Sequence, residues 1–408
     1  MKNNPETRLE EFVNEWSVDR ASDIFFIESD KGYPELPVLS ASQELGMVKR
    51  DNIGIDMQYS KQNIASYKRV KPGRFVIHLR SFQGGFAHSA IEGITSPAYT
   101  VLSLKEPQKH DDYFWKYLFT SPEFVKRLEL VTYGIRDGRS ISVDDFFNLP
   151  FCYPSSPEEQ HKIAQFFSRL DSLITAEDKK LERLKTIKSA SLEKMFPKQG
   201  ETVPEVRFKG FTGTWEEHRL SDFLKVYVEK NEKDTYSKYD IFSVSNECGV
   251  INQIKYQGKS LAGSSLKGYK VTHKDTVIYT KSPLKNQPFG IIKTNKCCSG
   301  IVSTLYAVYT VNEGIWPDFI QVFFSSDIRL NNYLRLIVNK GAKNTLLVSD
   351  EEAISGTVVF PVDEKEQIYI AEFFSRLDSL ISAQEQKIEK LRSMKKSFLE
   401  KMFMSTPK

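Results

Sequence analysis

The residues of this chain best placed to do chemistry are cations. Between Met57 and Ile91 stand six basic residues (Lys61, Lys68, Arg69, Lys71, Arg74, Arg80) and no acidic one. Between Cys248 and Cys298 stand nine (Lys255, Lys259, Lys267, Lys270, Lys274, Lys281, Lys285, Lys293, Lys296) against Asp275 alone. Both stretches are interleaved with aromatics: Tyr59, Tyr67, Phe82 and Phe86 in the first, Tyr256, Tyr269 and Phe289 in the second. Lysine and arginine neutralise phosphates while rings stack on bases, so this combination is the footprint of a polyanion site. "GIRDGR" (Gly134–Arg139, with Arg136 and Arg139) and "KGAKN" (Lys340–Asn344, with Lys340 and Lys343) add a second basic loop to each stretch. A single lysine-rich run is commonly just a solvated face, but two runs at corresponding places argue for a shared role.

Catalytic motifs are missing. "GKS" at Gly258–Ser260 is not a phosphate loop, because the position five residues before Gly258 is Gln253 rather than glycine. No Gly-x-Ser-x-Gly, His-Glu-x-x-His or Asn-Pro-Pro-aromatic string occurs. The carboxylate-x-lysine string at Asp363–Lys365 lies in a repeated junction and reads as structural rather than as a nuclease centre. His78, His88, His110, His161, His218 and His273 show no ligand spacing, and Cys152, Cys248, Cys297 and Cys298 show neither Cys-x-x-Cys spacing nor a histidine pair. The chain reads as a binder, with no cofactor or metal of its own.

The elements that must carry these cations are duplicated. "FFSRLDSLI" occurs at Phe166–Ile174 and again at Phe373–Ile381, 207 positions on (373 minus 166). Extended outward, 163–196 and 370–403 agree at 21 of 34 positions. At the same offset "GITSPAYTV" (Gly93–Val101) meets "GIVSTLYAV" (Gly300–Val308), and "YPSSPEEQ" (Tyr153–Gln160) meets "FPVDEKEQ" (Phe360–Gln367). Near the start the offset is 199, where Pro5, Arg8, Phe12, Trp16, Arg20, Ser22 and Asp23 meet Pro204, Arg207, Phe211, Trp215, Arg219, Ser221 and Asp222. One unit of about 200 residues has been doubled, and only its front half has changed length.

Each back half reads as a long helix. Phe166, Phe167, Leu170, Leu173, Ile174, Leu181 and Leu184 recur at helical spacing, as do Phe373, Phe374, Leu377, Leu380, Ile381, Ile388 and Leu391. A helix from residue 158 to 196 would be about 57 Å long, and a helix of that length with one apolar stripe calls for a partner. The other copy is the obvious one, so these residues are expected to form a helix–helix seam or a protein-docking face. Asp178, Lys188, Glu385 and Lys395 interrupt the seam. In the front halves "RFVIHL", "YTVLSL", "DTVIYT", "GIIKT" and "TLYAVYTV" read as strands, and Gly84–Gly85, Ser282–Pro288 and "KGAKN" as loops.

Composition agrees with this division. A hydrophobic content of 40% suits folded domains, and neither a signal-peptide core nor a long apolar run is present, so the chain is expected to be cytoplasmic. The expected partition is 1–156 (first α/β domain), 157–199 (first long helix), 200–363 (second α/β domain) and 364–408 (second long helix). The two helix repeats each carry seven basic and five acidic residues, which accounts for the whole net charge of +4 and leaves the rest neutral. Such a chain should bind a polyanion weakly by itself.

The order of these motifs resembles the specificity (S) subunit of type I restriction-modification systems. The resemblance rests on Gly134, Pro154, Glu159–Gln160, Ile163 and Leu170–Asp171, then Gly341, Pro361, Glu366–Gln367, Ile370 and Leu377–Asp378, and on the lead-in "PEVRFKGFTGTWEEHRLSDF" (Pro204–Phe223). It implies an α+β chain: two α/β target recognition domains separated by two long helices in an antiparallel coiled coil. Each domain would read one half of a bipartite, asymmetric DNA target, with half-site centres about 34 Å apart if both meet one face of the duplex. The helices would dock two adenine methyltransferase subunits, and through them restriction subunits, while S-adenosylmethionine would sit on the methyltransferase and not on this chain. Rival readings are a coiled-coil scaffold, a stand-alone DNA-binding protein and an enzyme acting on nucleic acid. The DNA contacts expected from the basic stretches are Lys68, Arg69, Lys71, Arg74, Arg80, Arg136, Arg139, Lys255, Lys259, Lys267, Lys270, Lys281, Lys285, Lys340 and Lys343.

Overall fold

In the computed structural model of the chain, the residues described are 5–42, 45–52, 61–77, 86–128, 132–133, 140–260, 262–263, 265–284, 286–341 and 346–404. They form two compact units, one of residues 1–179 with 385–408 and the other of residues 180–384. Two helices supply the long spans expected from the sequence, Pro157–Lys194 and Glu364–Met402. Each unit takes the leading part of one helix and the trailing part of the other.

The strands form where β-branched and aromatic residues cluster, and they form in duplicate. In the first unit a four-stranded antiparallel sheet runs in the order Phe25–Glu28, Thr100–Leu104, Arg74–Ile77, Phe86–Ser89. In the second unit the order is Leu224–Val226, Tyr306–Val311, Val277–Thr280, Ile291–Thr294. Every strand expected from the five quoted segments is present. Three smaller ladders are duplicated as well: Ser17–Arg20 on Pro150–Tyr153 and Glu216–Arg219 on Thr357–Phe360; Leu39–Ser42 on Gly46–Lys49 and Phe242–Ser245 on Gly249–Asn252; Lys68–Val70 on Gly93–Thr95 and Lys270–Thr272 on Gly300–Val302. The loop expected at Gly84–Gly85 lies outside the described residues.

Short helices that the sequence reading did not single out cover the first sheet. Asp112–Thr120 begins where the Asp111 side chain accepts from Phe114 N at 2.9 Å, and it buries Phe114, Trp115, Tyr117, Leu118 and Phe119. Pro317–Phe323 is its counterpart in the second unit, started by proline and burying Phe319, Ile320, Val322 and Phe323. Aromatic rings dominate the first core, where Phe25, Trp115, Phe119, Phe146 and Phe151 meet edge to face or tilted.

The repeated "Glu-Gln" at each helix start is a joint. Glu159 takes a bidentate pair from Arg8 at 2.7 Å and 2.7 Å, and Glu366 takes one from Arg207 at 2.6 Å and 2.7 Å. Gln160 accepts from Asp111 N at 2.9 Å and donates to Pro154 O at 2.8 Å; Gln367 accepts from Trp316 N at 2.8 Å and donates to Pro361 O at 3.0 Å. Each unit thereby ties its lead-in segment and sheet to its helix. Asp363, three positions before Glu366, accepts from Lys365 N at 2.8 Å and caps the second helix.

The helices pair antiparallel inside each unit. In the first unit Phe166 meets Phe398 and Phe167 meets Phe403, with ring centroids 5.0 Å and 5.7 Å apart, while Asp171 meets Lys395, Glu177 meets Lys387 and Asp178 meets Arg392. In the second unit Phe196 meets Phe374 and Lys188 meets Asp378. Asp178, Lys188 and Lys395, which interrupt the apolar seam, are therefore ion-paired to the facing helix.

Candidate nucleic-acid interface

Among the described cations of the first basic stretch, Arg69, Lys71 and Arg74 are bound to carboxylates of their own domain. Strand Phe25–Glu28 ends on Glu28, whose carboxylate accepts from Arg74 at 2.6 Å, from Lys71 at 3.3 Å and from the Ser103 hydroxyl. Burial opposes ionisation of Glu28, but the hydrogen bonds from Ser103 and Arg74 outweigh it and hold the carboxyl below its usual range. Arg69 bonds Glu92 at 2.8 Å, meets Asp30 at 3.5 Å and lies 4.4 Å over the Tyr33 ring. Lys68 donates to Tyr99 O at 2.7 Å, and burial pulls its pKa below the ordinary lysine value.

The second stretch repeats the arrangement with other residues. Asp350 accepts from Lys281 at 2.5 Å and from Lys270, and Lys281 also donates to Val348 O at 2.8 Å. Lys267 meets Asp234 at 3.4 Å. Thus Lys68, Arg69, Lys71, Arg74, Lys270 and Lys281, expected as phosphate contacts, are engaged in holding loops to sheets. Arg80, Arg136, Arg139, Lys285 and Lys343 lie outside the described residues, as does the side chain of Lys340.

Lys255 and Lys259 remain, and the structure gives them aromatic company. The short helix Gln253–Gln257 starts on Asn252, whose side chain accepts from Lys255 N at 3.2 Å, and stops at Gly258, whose φ of 72° suits glycine. It presents Lys255 and Tyr256 to solvent, and Lys259 follows at once. Across a cleft of about 400 Å³ lined by Lys259, Ser260 and Ile254 stand Lys238 and Tyr239, with the Lys238 ammonium 5.2 Å from the Tyr239 ring centre. Tyr239 is 65% exposed. Lys238 and Tyr239 fall ahead of the Cys248–Cys298 window, and counting charges along the chain missed them. Exposed lysines beside exposed rings can neutralise phosphates and stack on bases.

The second candidate surface, present once in each unit, is the paired stretch of the two long helices. Phe167, Phe374, Leu377 and Ile388 are buried, and Phe166, Leu170, Ile174, Leu181, Leu184, Phe373, Ile381 and Leu391 are half-buried. Leu173 and Leu380 differ: they occupy the same position in the two repeats and are 42% and 55% exposed. Ile187 and Met394, also equivalent in the repeat, are exposed too. These four apolar side chains are left facing outward, which the seam does not require. Among the described residues no group of three or more His, Cys, Asp or Glu side chains could hold a metal ion, and no helix is long and apolar enough to cross a membrane.

Comparison with known proteins accounts for the architecture. Residues 13–186 match the family model described as type I restriction modification DNA specificity domain. The S subunit of a type I restriction-modification system from M. genitalium has the same fold, with a TM-score of 0.57 over 99% of this chain and 100% of that one at 14% identity. A chain from a study of complex assembly and conformational transition of the type I R-M system aligns over 96% of this chain and 98% of its own, with a TM-score of 0.52 and 13% identity. The first repeat thus matches the model of a DNA specificity domain, and the structural likeness extends over both repeats. Over nearly its whole length the chain is similar in fold to type I restriction-modification S subunits, the resemblance that its order of motifs implied.

Proposed function

We propose that this chain is the DNA-reading subunit of a type I restriction-modification complex, with one half of a bipartite, asymmetric target read by each domain. The observation that carries the proposal is an opposition between the two kinds of surface. The helix pair offers the same outward side chains twice, Leu173 with Leu380, and its bonds recur in the two repeats. The polar faces of the two domains have diverged: Glu28 gathers cations in one, and Asp350 in the other. A duplicated docking face suits two copies of one partner, and the natural partner is an adenine methyltransferase subunit carrying S-adenosylmethionine. Diverged domains suit two different half-sites. The chain itself is taken as non-catalytic, and restriction subunits would join through the methyltransferase.

The test is a genome-wide map of methylated adenines after this chain is co-expressed with the methyltransferase subunit encoded beside it. The expected result is one new motif of two unlike short halves around a fixed gap. A stable complex that adds no methylation would overturn the reading role and leave a scaffold.

A further inference from the structure

Beside the aromatic and cationic patch of the second unit lies a feature that the proposed function does not call for. Cys297 and Cys298 are adjacent in the chain, both are exposed, and their sulfur atoms stand 3.1 Å apart. Their turn is fixed from below by Asn295, which is fully buried. The Asn295 side chain accepts from Cys297 N at 3.1 Å and donates to Cys298 O at 2.9 Å and to Thr272 Oγ1 at 3.2 Å. Gly300, two residues on, backs onto the Asp240 carbonyl so closely that a Cβ there would come within 2.5 Å of it. Two thiols are thus held together at the surface by a backbone already ordered, and Asp240, on which that backbone rests, directly follows Tyr239.

We propose that Cys297 and Cys298 form a chelating dithiol site for a soft, thiophilic centre of the trivalent arsenic type. Thiolate sulfur prefers soft ions. Two sulfurs about 2.3 Å from a shared centre and 3.1 Å from each other subtend about 85° there, far from the tetrahedral angle of zinc and near the angle of a pyramidal centre with a lone pair. With an aryl-arsenic oxide the step balances without redox: two S–As bonds form, the As–O bond and two S–H bonds break, and the oxygen leaves with both protons as water. Chelation makes the second bond intramolecular, which favours it over two separate thiols.

The experiment uses the full chain and phenylarsine oxide, read by intact mass and by alkylation mapping. Wild type and Cys248→Ser should each gain one phenylarsenic group, kept in excess monothiol and removed by 2,3-dimercaptopropanol. Cys297→Ser and Cys298→Ser should each bind on the order of 100-fold more weakly. In the wild type, bound arsenical should shield Cys297 and Cys298 from iodoacetamide and leave Cys248 reactive, a readout that needs no variant. An adduct that a monothiol removes, one that survives in both serine variants, or unprotected Cys297 and Cys298 would overturn the proposal.

Discussion

Lys395 on the second long helix donates to Asp171 on the first at 2.5 Å, and Lys188 on the first donates to Asp378 on the second at 2.5 Å. Adding 207 to 171 and 188 gives 378 and 395, so one bond is made twice with the helices exchanging roles. Asp171 also accepts from the Tyr117 hydroxyl at 2.9 Å. All four charged groups are partly exposed, so each pair should contribute about 1 kcal/mol or less. Their larger effect is on register, since a slip of either helix breaks both pairs at once. Lys188→Asp with Lys395→Asp should lower the urea midpoint clearly, and adding Asp171→Lys with Asp378→Lys should recover most of the loss. Failure of the fourfold exchange to recover stability would show that the pairs do not set register.

The arginine joints should matter more. Glu159 and Glu366 are 2% and 1% exposed at the side chain, and each is satisfied by a bidentate arginine. Removing only the arginine strands a buried carboxylate, at a cost of about 3 to 5 kcal/mol. Arg207→Ala should therefore unfold at much lower denaturant than wild type, while Arg207→Met with Glu366→Gln should be milder. Equal losses in the two variants would mean that packing, rather than the stranded charge, sets the cost.

Much of this fold is legible in the sequence because its signals are local or repeated. The helices show as apolar spacing, the sheet strands as β-branched runs, and the joints as a motif found twice. What is not legible is where each cation finds its partner. Lys71 and Arg74 are 43 and 46 residues from Glu28, and Lys270 is 80 residues from Asp350. A stretch with one acidic residue or none therefore looks like a bare positive surface until folding brings distant carboxylates to it. Lys238 and Tyr239 escaped notice for the converse reason: they join the helix Gln253–Gln257 only across a cleft.

Gly93 and Gly300 align in the repeat, and one physical reason covers both. A Cβ at Gly93 would come within 2.5 Å of Pro37 O and of the Leu39 side chain; at Gly300 it would come within 2.5 Å of Asp240 O and 2.4 Å of the Phe242 ring. Backbone cannot yield as a flexible side chain can. Gly93→Ala and Gly300→Ala should each cost about 1 to 3 kcal/mol in chemical denaturation. An unchanged midpoint in either would contradict the close approach.

Lys293 should leave a signature in alkali. It lies in the buried strand Ile291–Thr294, and burial, helped by Lys188, lowers its pKa to about 8, although Asp378 and Asp327 oppose the shift. The unfolded chain holds this proton up to its ordinary value of 10.5, so between about 8 and 10.5 the unfolded state binds more protons. The penalty on folding is thus full below pH 8 and fades as pH rises toward 10.5. Lys293→Met should stabilise the protein at pH 7 by up to about 3 kcal/mol, and the gain should shrink steadily from pH 8 to 10. A gain independent of pH would assign it to packing alone.

The division of the cations into tied and free makes the last prediction. Lys255 and Lys259 stand exposed beside Tyr239 and Tyr256, whereas Lys270 and Lys281 are spent on Asp350. For the proposed complex with a methyltransferase subunit, on duplex DNA carrying the motif mapped for it, Lys255→Ala with Lys259→Ala should weaken binding without moving the unfolding midpoint. Each phosphate left without its lysine should reduce the slope of log affinity against log salt by about 0.9. Lys270→Ala should do the opposite, lowering stability because Asp350 loses one of its two cations, with the salt slope held. Tyr239→Ala should weaken DNA binding with little change in slope, because stacking releases no counterions. If instead Lys270→Ala flattens the slope and the Lys255 and Lys259 pair leaves it intact, the second domain meets DNA through the Asp350 side rather than through this cleft.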